Sequence, residues 1–190
     1  LVPAGFSLIE LLVVIAIAAI LLGIGVPNFS RLVISNRLST AANQFATQLQ
    51  YARSEATRLR TAVGIQIAPS ATAGSGDFGA GWRMFVDGNG DGLFTTGEQI
   101  LRVGEVYEAP LTIRGVRPAY GDAIVFNANG AVTSGPGFVV VCYGTALTDG
   151  NEPRSRVIAI NGMGRVRQGV DTNADAIPEH DSAAVSTCTP

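Results

Sequence analysis

The sequence contains no lysine; all 13 of its cationic side chains are arginines. An all-arginine complement would suit forked contacts to phosphate, but a GC-rich coding bias accounts for it without any function. Histidine occurs once, as His180, inside an acidic stretch. With no second histidine, no activated serine or cysteine pattern and no P-loop, the chain offers no catalytic constellation and reads as a non-enzyme. The net charge of -2 excludes a global attraction to nucleic acid or anionic lipid, so either partner would need a local patch. Cysteine occurs only twice, and no CxxC, histidine cluster or metal-type spacing accompanies it. Neither a metal nor a cofactor is expected.

The two cysteines are Cys142, after the apolar run GFVVV, and Cys188, in the terminal STCTP. Paired, they would tie the tail to a core strand and imply an oxidising compartment. By loop-entropy arguments such a bridge adds roughly 3 to 4 kcal/mol. Two unpaired buried thiols are the alternative.

Charge is missing altogether between Glu10 and Arg31. The run from Phe6 to Val26 is long enough, at about 1.5 Å per residue, to span a hydrocarbon core of about 30 Å as a helix. A secretory signal peptide would carry its small cleavage-site residue after the apolar core, whereas Gly5 precedes it. Glu10 is then the anomaly, because an acid within a membrane helix costs roughly 2.5 to 3.5 kcal/mol and calls for a partner. No cation in the same helix can serve. Cleavage between Gly5 and Phe6 would create an α-amino group four residues before Glu10, and a neighbouring subunit could offer that amine to the carboxylate.

Gly5, Phe6, Ser7, Leu8, Ile9 and Glu10 resemble the class III signal of type IV prepilins and type II secretion pseudopilins. The resemblance implies that a prepilin peptidase cleaves after Gly5 and methylates Phe6, and that Glu10 is an assembly residue. Pro27 sits where those helices are interrupted. The leader LVPAG departs from the family pattern in lacking both Lys or Arg and a starting Met, and reads either as truncated or as a misassigned start.

Beyond Pro27, Leu38, Ala42, Phe45, Leu49, Ala52, Ala56 and Leu59 recur at spacings of four and three, a single helical stripe opposite Arg37, Gln44, Gln48 and Arg58. The helix is therefore expected to continue to about Arg60 and to lay its apolar face on a sheet. Strand signals follow at 63–68, 81–87, 99–106, 111–116, 123–128, 137–143 and 156–160, separated by Gly, Asn, Asp and Pro. NGMG at 161–164 reads as a tight turn and 68–81 as a small-residue loop. The expected fold is α+β, a long N-terminal helix with a kink near Pro27, packed on a mainly antiparallel β head. Its divisions would be a leader at 1–5, a transmembrane half-helix at 6–27, an amphipathic half-helix at 28–60 and the head at 61–190.

Two stretches of the head invite a functional reading. Asp87, Asn89, Asp91, Gly92 and Glu98 match positions one, three, five, six and twelve of a calcium loop. Strand-like sequence on both sides replaces the flanking helices such a loop needs, and FVDGNGDG followed by GEQILR resembles a structural hairpin of FimT-like minor pilins. The stretch is read as a polar turn. The second is GRVRQ at 164–168. If it is extended, Arg165 and Arg167 point to one face about 6.5 Å apart, close to the spacing of successive phosphates. It resembles the GRxR motif of FimT-type minor pilins, some of which bind DNA during natural transformation. The competing reading is a solvated strand whose arginines are fixed by the acidic tail, through Asp171, Asp175, Glu179 and Asp181.

Over nearly its whole length the chain is thus similar to minor pilins of the FimT/GspH type. The resemblance implies an inner-membrane anchor, a periplasmic head, other major and minor pilins as partners, assembly into a pilus, and DNA as a partner in the DNA-binding branch. A type II secretion pseudopilin with a purely structural role is the alternative.

Overall fold

The computed structural model of the protein describes residues 7–69, 76–116, 120–179 and 185–188, the side chain of Pro27 apart. Its first element, α1 (Leu8–Leu59), has 52 residues and is about 78 Å long at 1.5 Å per residue. Ser7 starts it as N-cap: its hydroxyl accepts from the backbone N–H of Glu10 at 3.3 Å, the Ser-x-x-Glu arrangement of a capping box. The helix stops where Arg60 turns left-handed, at φ 53°. At Pro27, where a kink is expected, helix is present on both sides. Pro27 supplies no N–H to the turn before it, and there the Asn28 side chain donates to the Ile24 carbonyl at 3.1 Å.

The two halves of α1 meet different surroundings. From Leu8 to Val26 every side chain is exposed, and this half is long and apolar enough to cross a membrane. From Leu38 onward the predicted stripe is buried: Leu38, Ala42, Phe45, Leu49, Ala52 and Ala56 all lie in the core, with Leu59 packed at its margin. The alanines matter because a methyl group lets strands approach the helix closely, while Phe45 fills the gap between layers. Its ring lies 5.4 Å from that of Phe78 and 6.3 Å from that of Trp82.

Among the described residues, the head contains two four-stranded antiparallel sheets and one short hairpin. The strands are β1 (Ala62–Ile67), β2 (Trp82–Asp87), β3 (Ile100–Gly104), β4 (Leu111–Gly115), β5 (Ala123–Phe126), β6 (Gly137–Tyr143), β7 (Thr148–Asp149), β8 (Glu152–Pro153), β9 (Ser155–Ile160) and β10 (Val166–Gln168). The first sheet runs β3-β2-β1-β5, the second β10-β9-β6-β4, and β7 pairs with β8. Each of the seven predicted strands is present.

Alternation decides which side chains meet the helix. Along β6 and β9, Val139, Val141, Ile158 and Ile160 face the core shared with α1. Val140, Cys142 and Val157 face the other way, where Ile177, Val185 and Cys188 cover them. Burial on both faces explains why β6 reads as an unbroken apolar run. Cys142 and Cys188 form a disulfide with Cα atoms 5.9 Å apart, tying the tail to that second face.

Candidate functional site

Arg165 and Arg167 lie at the hairpin that joins β9 to β10. The connection is a tight turn over 161–164: Gly164 N–H donates to the Asn161 carbonyl at 2.8 Å, and Asn161 N–H donates to the Arg165 carbonyl at 3.1 Å. Asn161 closes it further by accepting from Arg165 N–H through Oδ1 at 2.8 Å. Gly164 has φ +74°, and a Cβ there would lie 1.9 Å from the Gly130 carbonyl oxygen, so glycine is needed for conformation and for space. Arg53 of α1 holds that carbonyl with its Nε at 3.0 Å. The turn therefore rests on a second turn that the helix itself braces.

Strand alternation then fixes the arginines. Val166 pairs with Ile160 and packs against the core, so its neighbours Arg165 and Arg167 project outward and are exposed. Gln168 donates to Asn43 Oδ1 on the helix, which holds the far end of the strand. The other arginines are mostly engaged. Arg31, Arg58, Arg114 and Arg154 form ion pairs with Glu152, Glu55, Asp77 and Asp149. Arg83 and Arg102 stack on Phe94 and Tyr51. Arg156 donates to Ser35, and burial lowers its pKa from the ordinary guanidinium value. Among the described residues, neither Arg165 nor Arg167 has an ion-pair partner.

Among the described residues of the acidic tail, Asp171, Asp175 and Glu179 form no ion pair with Arg165 or Arg167. Asp171, Asp175 and Glu179 turn inward on their own loop and bring carboxylate oxygens within 4.8 Å of one another. Asp171 accepts from Ala174 and Ala176 N–H, Asp175 from Ile177 N–H, and Glu179 from Thr172. The sequence reading missed this convergence, although the signal was available: Asp-x-Asn-x-Asp occurs at 171–175 as it does at 87–91. His180 and Asp181 lie outside the described residues.

The loop at 87–98 is self-satisfied. Asp87, 3% exposed, accepts from Gly90 and Gly92 N–H; Asp91 accepts from Leu93 N–H; Glu98 accepts from Gly88 and Thr95 N–H. The Leu93 N–H, helped by Asn89 and Thr95, holds the Asp91 carboxyl below its ordinary range. Asp87, Asp91 and Glu98 form no converging group of the kind seen at 171–179. A polar turn joining β2 to β3 is what these bonds build.

At the other end of the molecule, Gly5 and Phe6 lie outside the described residues. Glu10 sits exposed in the first turn of α1, where a negative charge also favours the helix N-terminus. The capping role of Ser7 beside it was not anticipated.

Residues 41–164 match the family model described as Type II transport protein GspH, and residues 3–26 match the prokaryotic N-terminal methylation motif. The chain is 32% identical over 167 residues to the pilin-like protein PilA1 of Thermus thermophilus, covering 85% of this chain and 97% of that one. Among solved structures it is similar to the type IV minor pilin FimU of Pseudomonas aeruginosa. That likeness has a TM-score of 0.56 and 27% identity, covering 81% of this chain and 96% of FimU. It is more loosely similar to the minor pseudopilin EpsH from the Type 2 Secretion System of Vibrio cholerae, with a TM-score of 0.43 and 15% identity over 69% of this chain and 94% of EpsH.

Proposed function

Because the chain belongs to the GspH family of minor pilins and pseudopilins, whose members serve type IV pili or type II secretion, we propose that it is a minor pilin of a type IV pilus that presents Arg165 and Arg167 to DNA. PilA1 and FimU support the pilus over the secretion system, being by name a pilin-like protein and a type IV minor pilin. In this reading a prepilin peptidase cleaves after Gly5 and methylates Phe6. The exposed apolar half of α1 anchors the subunit in the inner membrane by a single pass, with the head in the periplasm. As the subunit enters a fibre with other pilins, Glu10 meets the amine of a neighbouring Phe6. No catalytic step is involved.

The observation that carries the DNA assignment is the alternation at β10: Val166 packs against the core, and on either side of it stand two exposed arginines without an ion-pair partner among the described residues. Guanidinium groups at that spacing can fork onto successive phosphate oxygens and would bind without regard to base sequence. The experiment is fluorescence anisotropy with detergent-solubilised full chain and labelled duplexes of unrelated sequence at low salt. Comparable binding of all duplexes, lost in the Arg165→Gln, Arg167→Gln double variant, is the expected result. No binding at low salt, together with recovery of the chain only from the periplasm and never from sheared surface fibres, would favour the pseudopilin alternative.

A further inference from the structure

The contacts between α1 and the head fall in order along the helix. Arg31 meets Glu152 of β8, Ser35 meets Arg156 of β9, Asn43 meets Gln168 of β10, and Arg53 meets Gly130. The hairpin of β7 and β8 and the start of β9 are therefore close to the exposed apolar half of α1. Arg31, the first charge after Glu10, lies five residues beyond Val26, about 7.5 Å along the helix. Phe29 and Leu32 beside it are exposed. A bilayer with a hydrocarbon core about 30 Å thick measures about 40 to 45 Å with its headgroups, so each headgroup layer is about 5 to 8 Å deep. With Val26 at the edge of the hydrocarbon, Arg31 stands at the level of the headgroups and Ser35 about one helical turn above them.

Arg31, Arg154 and Arg156 meet Asp149 and Glu152 at this end of the head. Arg154 is taken up, since it pairs with Asp149 and lies over the Tyr143 ring. Arg31 and Glu152 are 3.8 Å apart, with side chains 54% and 49% exposed, so the pair is loose and screened by water. Arg156 differs from both. It is partly buried, donating from Nη2 to Ser35 Oγ at 3.1 Å and from Nη1 to the Ser155 carbonyl at 2.8 Å. Both acceptors are neutral, and among the described residues Arg156 forms no ion pair. Burial lowers its pKa and no neighbouring carboxylate opposes that shift. A guanidinium withdrawn from water without a countercharge is costly, and an anion brought to it would offset the cost. Arg31 and Ser35 are four residues apart on one helix face, about 6 Å between Cβ atoms, and border one small recess against β8. The guanidinium on Ser35 is thereby brought to the same side of α1 as that of Arg31.

We propose that Arg31, Ser35 and Arg156 hold the phosphate of an anionic phospholipid in the leaflet from which the head emerges. Guanidinium groups fork onto phosphate oxygens, and the Ser35 hydroxyl, which accepts from Arg156, can donate to the same phosphate. Phe29 and Leu32 lie on the membrane side of the site, where the apolar part of the lipid begins. Glu152 competes with the lipid for Arg31. The contact seats the head on the membrane surface in addition to its anchor. The inference rests on the membrane-anchor part of the proposed function and not on its DNA part.

The test is titration of the full chain, solubilised in an uncharged detergent, with phosphatidylglycerol, phosphatidylcholine and inorganic phosphate, read by native mass spectrometry. Phosphatidylglycerol should bind more tightly than phosphatidylcholine, and millimolar inorganic phosphate should not displace it. Arg31→Gln should weaken phosphatidylglycerol binding about fivefold, the weight of one basic residue at an anionic surface. Arg156→Gln should weaken it at least as much. Glu152→Gln, which frees Arg31, should tighten it, a gain that a merely destabilised head would not show. Equal affinity of the wild type for the two lipids would overturn the proposal. So would a preference that none of the three substitutions changes, or displacement of the lipid by inorganic phosphate. Recovery of the full chain from the soluble fraction of cells rather than from membranes would refute the anchor itself, and the proposal with it.

Discussion

Gly164 and Gly130 are in such close apposition that a Cβ on the first would lie 1.9 Å from the carbonyl oxygen of the second, the oxygen that Arg53 Nε holds at 3.0 Å. Gly164→Ala should therefore overpack the contact and strain a residue at positive φ, destabilising the head by roughly 2 to 4 kcal/mol. Thermal melts should show a drop of several degrees or more. Because the same turn sets the direction of β10, DNA binding should weaken even at temperatures where the variant is folded. An unchanged melting temperature would mean the two turns can separate freely.

Processing and assembly should be separable. Mass spectrometry of the mature protein should find Phe6 at the N-terminus and methylated. Glu10→Ala should be processed normally yet be depleted from sheared fibres, and a bulky charged residue at Gly5 should block cleavage. Mature protein that retains residues 1–5 in a piliated strain would contradict the processing assignment.

Removing the disulfide should loosen the tail without changing the fold class. Replacing both Cys142 and Cys188 by Ala should lower stability by up to roughly 3 to 4 kcal/mol, since the bridge closes a long loop of the unfolded chain. Circular dichroism should retain the native strand and helix signal while the melting temperature falls. A thiol assay on the unfolded, unreduced wild type should titrate no free thiol.

Acid should act on stability in a defined direction. Hydrogen bonding lowers the pKa of Asp91 through the Leu93 N–H, and that of Glu55 through Arg58. A folded-state pKa below the unfolded value means that each carboxylate favours the fold above about pH 4 and that this contribution is lost as the pH falls through the folded value. The difference in melting temperature between wild type and Asp91→Asn should accordingly be present at neutral pH and shrink in acid. A difference that grows on acidification would reverse the assignment.

Much of the fold could be read locally. The stripe from Leu38 to Leu59 predicted the buried helix face because a helix repeats every 3.6 residues whatever it packs against. The division into two sheets could not be read, since nothing in AIVF says that β5 joins β1 while LTIRG joins β6; those are long-range pairings. The two-residue strands β7 and β8 were too short to leave a periodic trace. β10 offered only Val166 as an apolar marker, so its strand character depended on what β9 could pair with. The positions of Arg165 and Arg167 were legible from their spacing. That Asp171, Asp175 and Glu179 bond to their own loop instead was not, because only folded geometry reveals it.

The most direct measurement of the central claim is the salt dependence of DNA binding by detergent-solubilised full chain and by its Arg165→Gln, Arg167→Gln variant. Phosphate contacts release counterions, so affinity should fall steeply between roughly 50 and 200 mM salt, and the variant should lose about two counterions' worth of the slope. Duplexes of unrelated sequence should give the same slope. Wild type and variant with identical affinity and identical slope would contradict the assignment of these two arginines, even if the protein bound DNA through another surface.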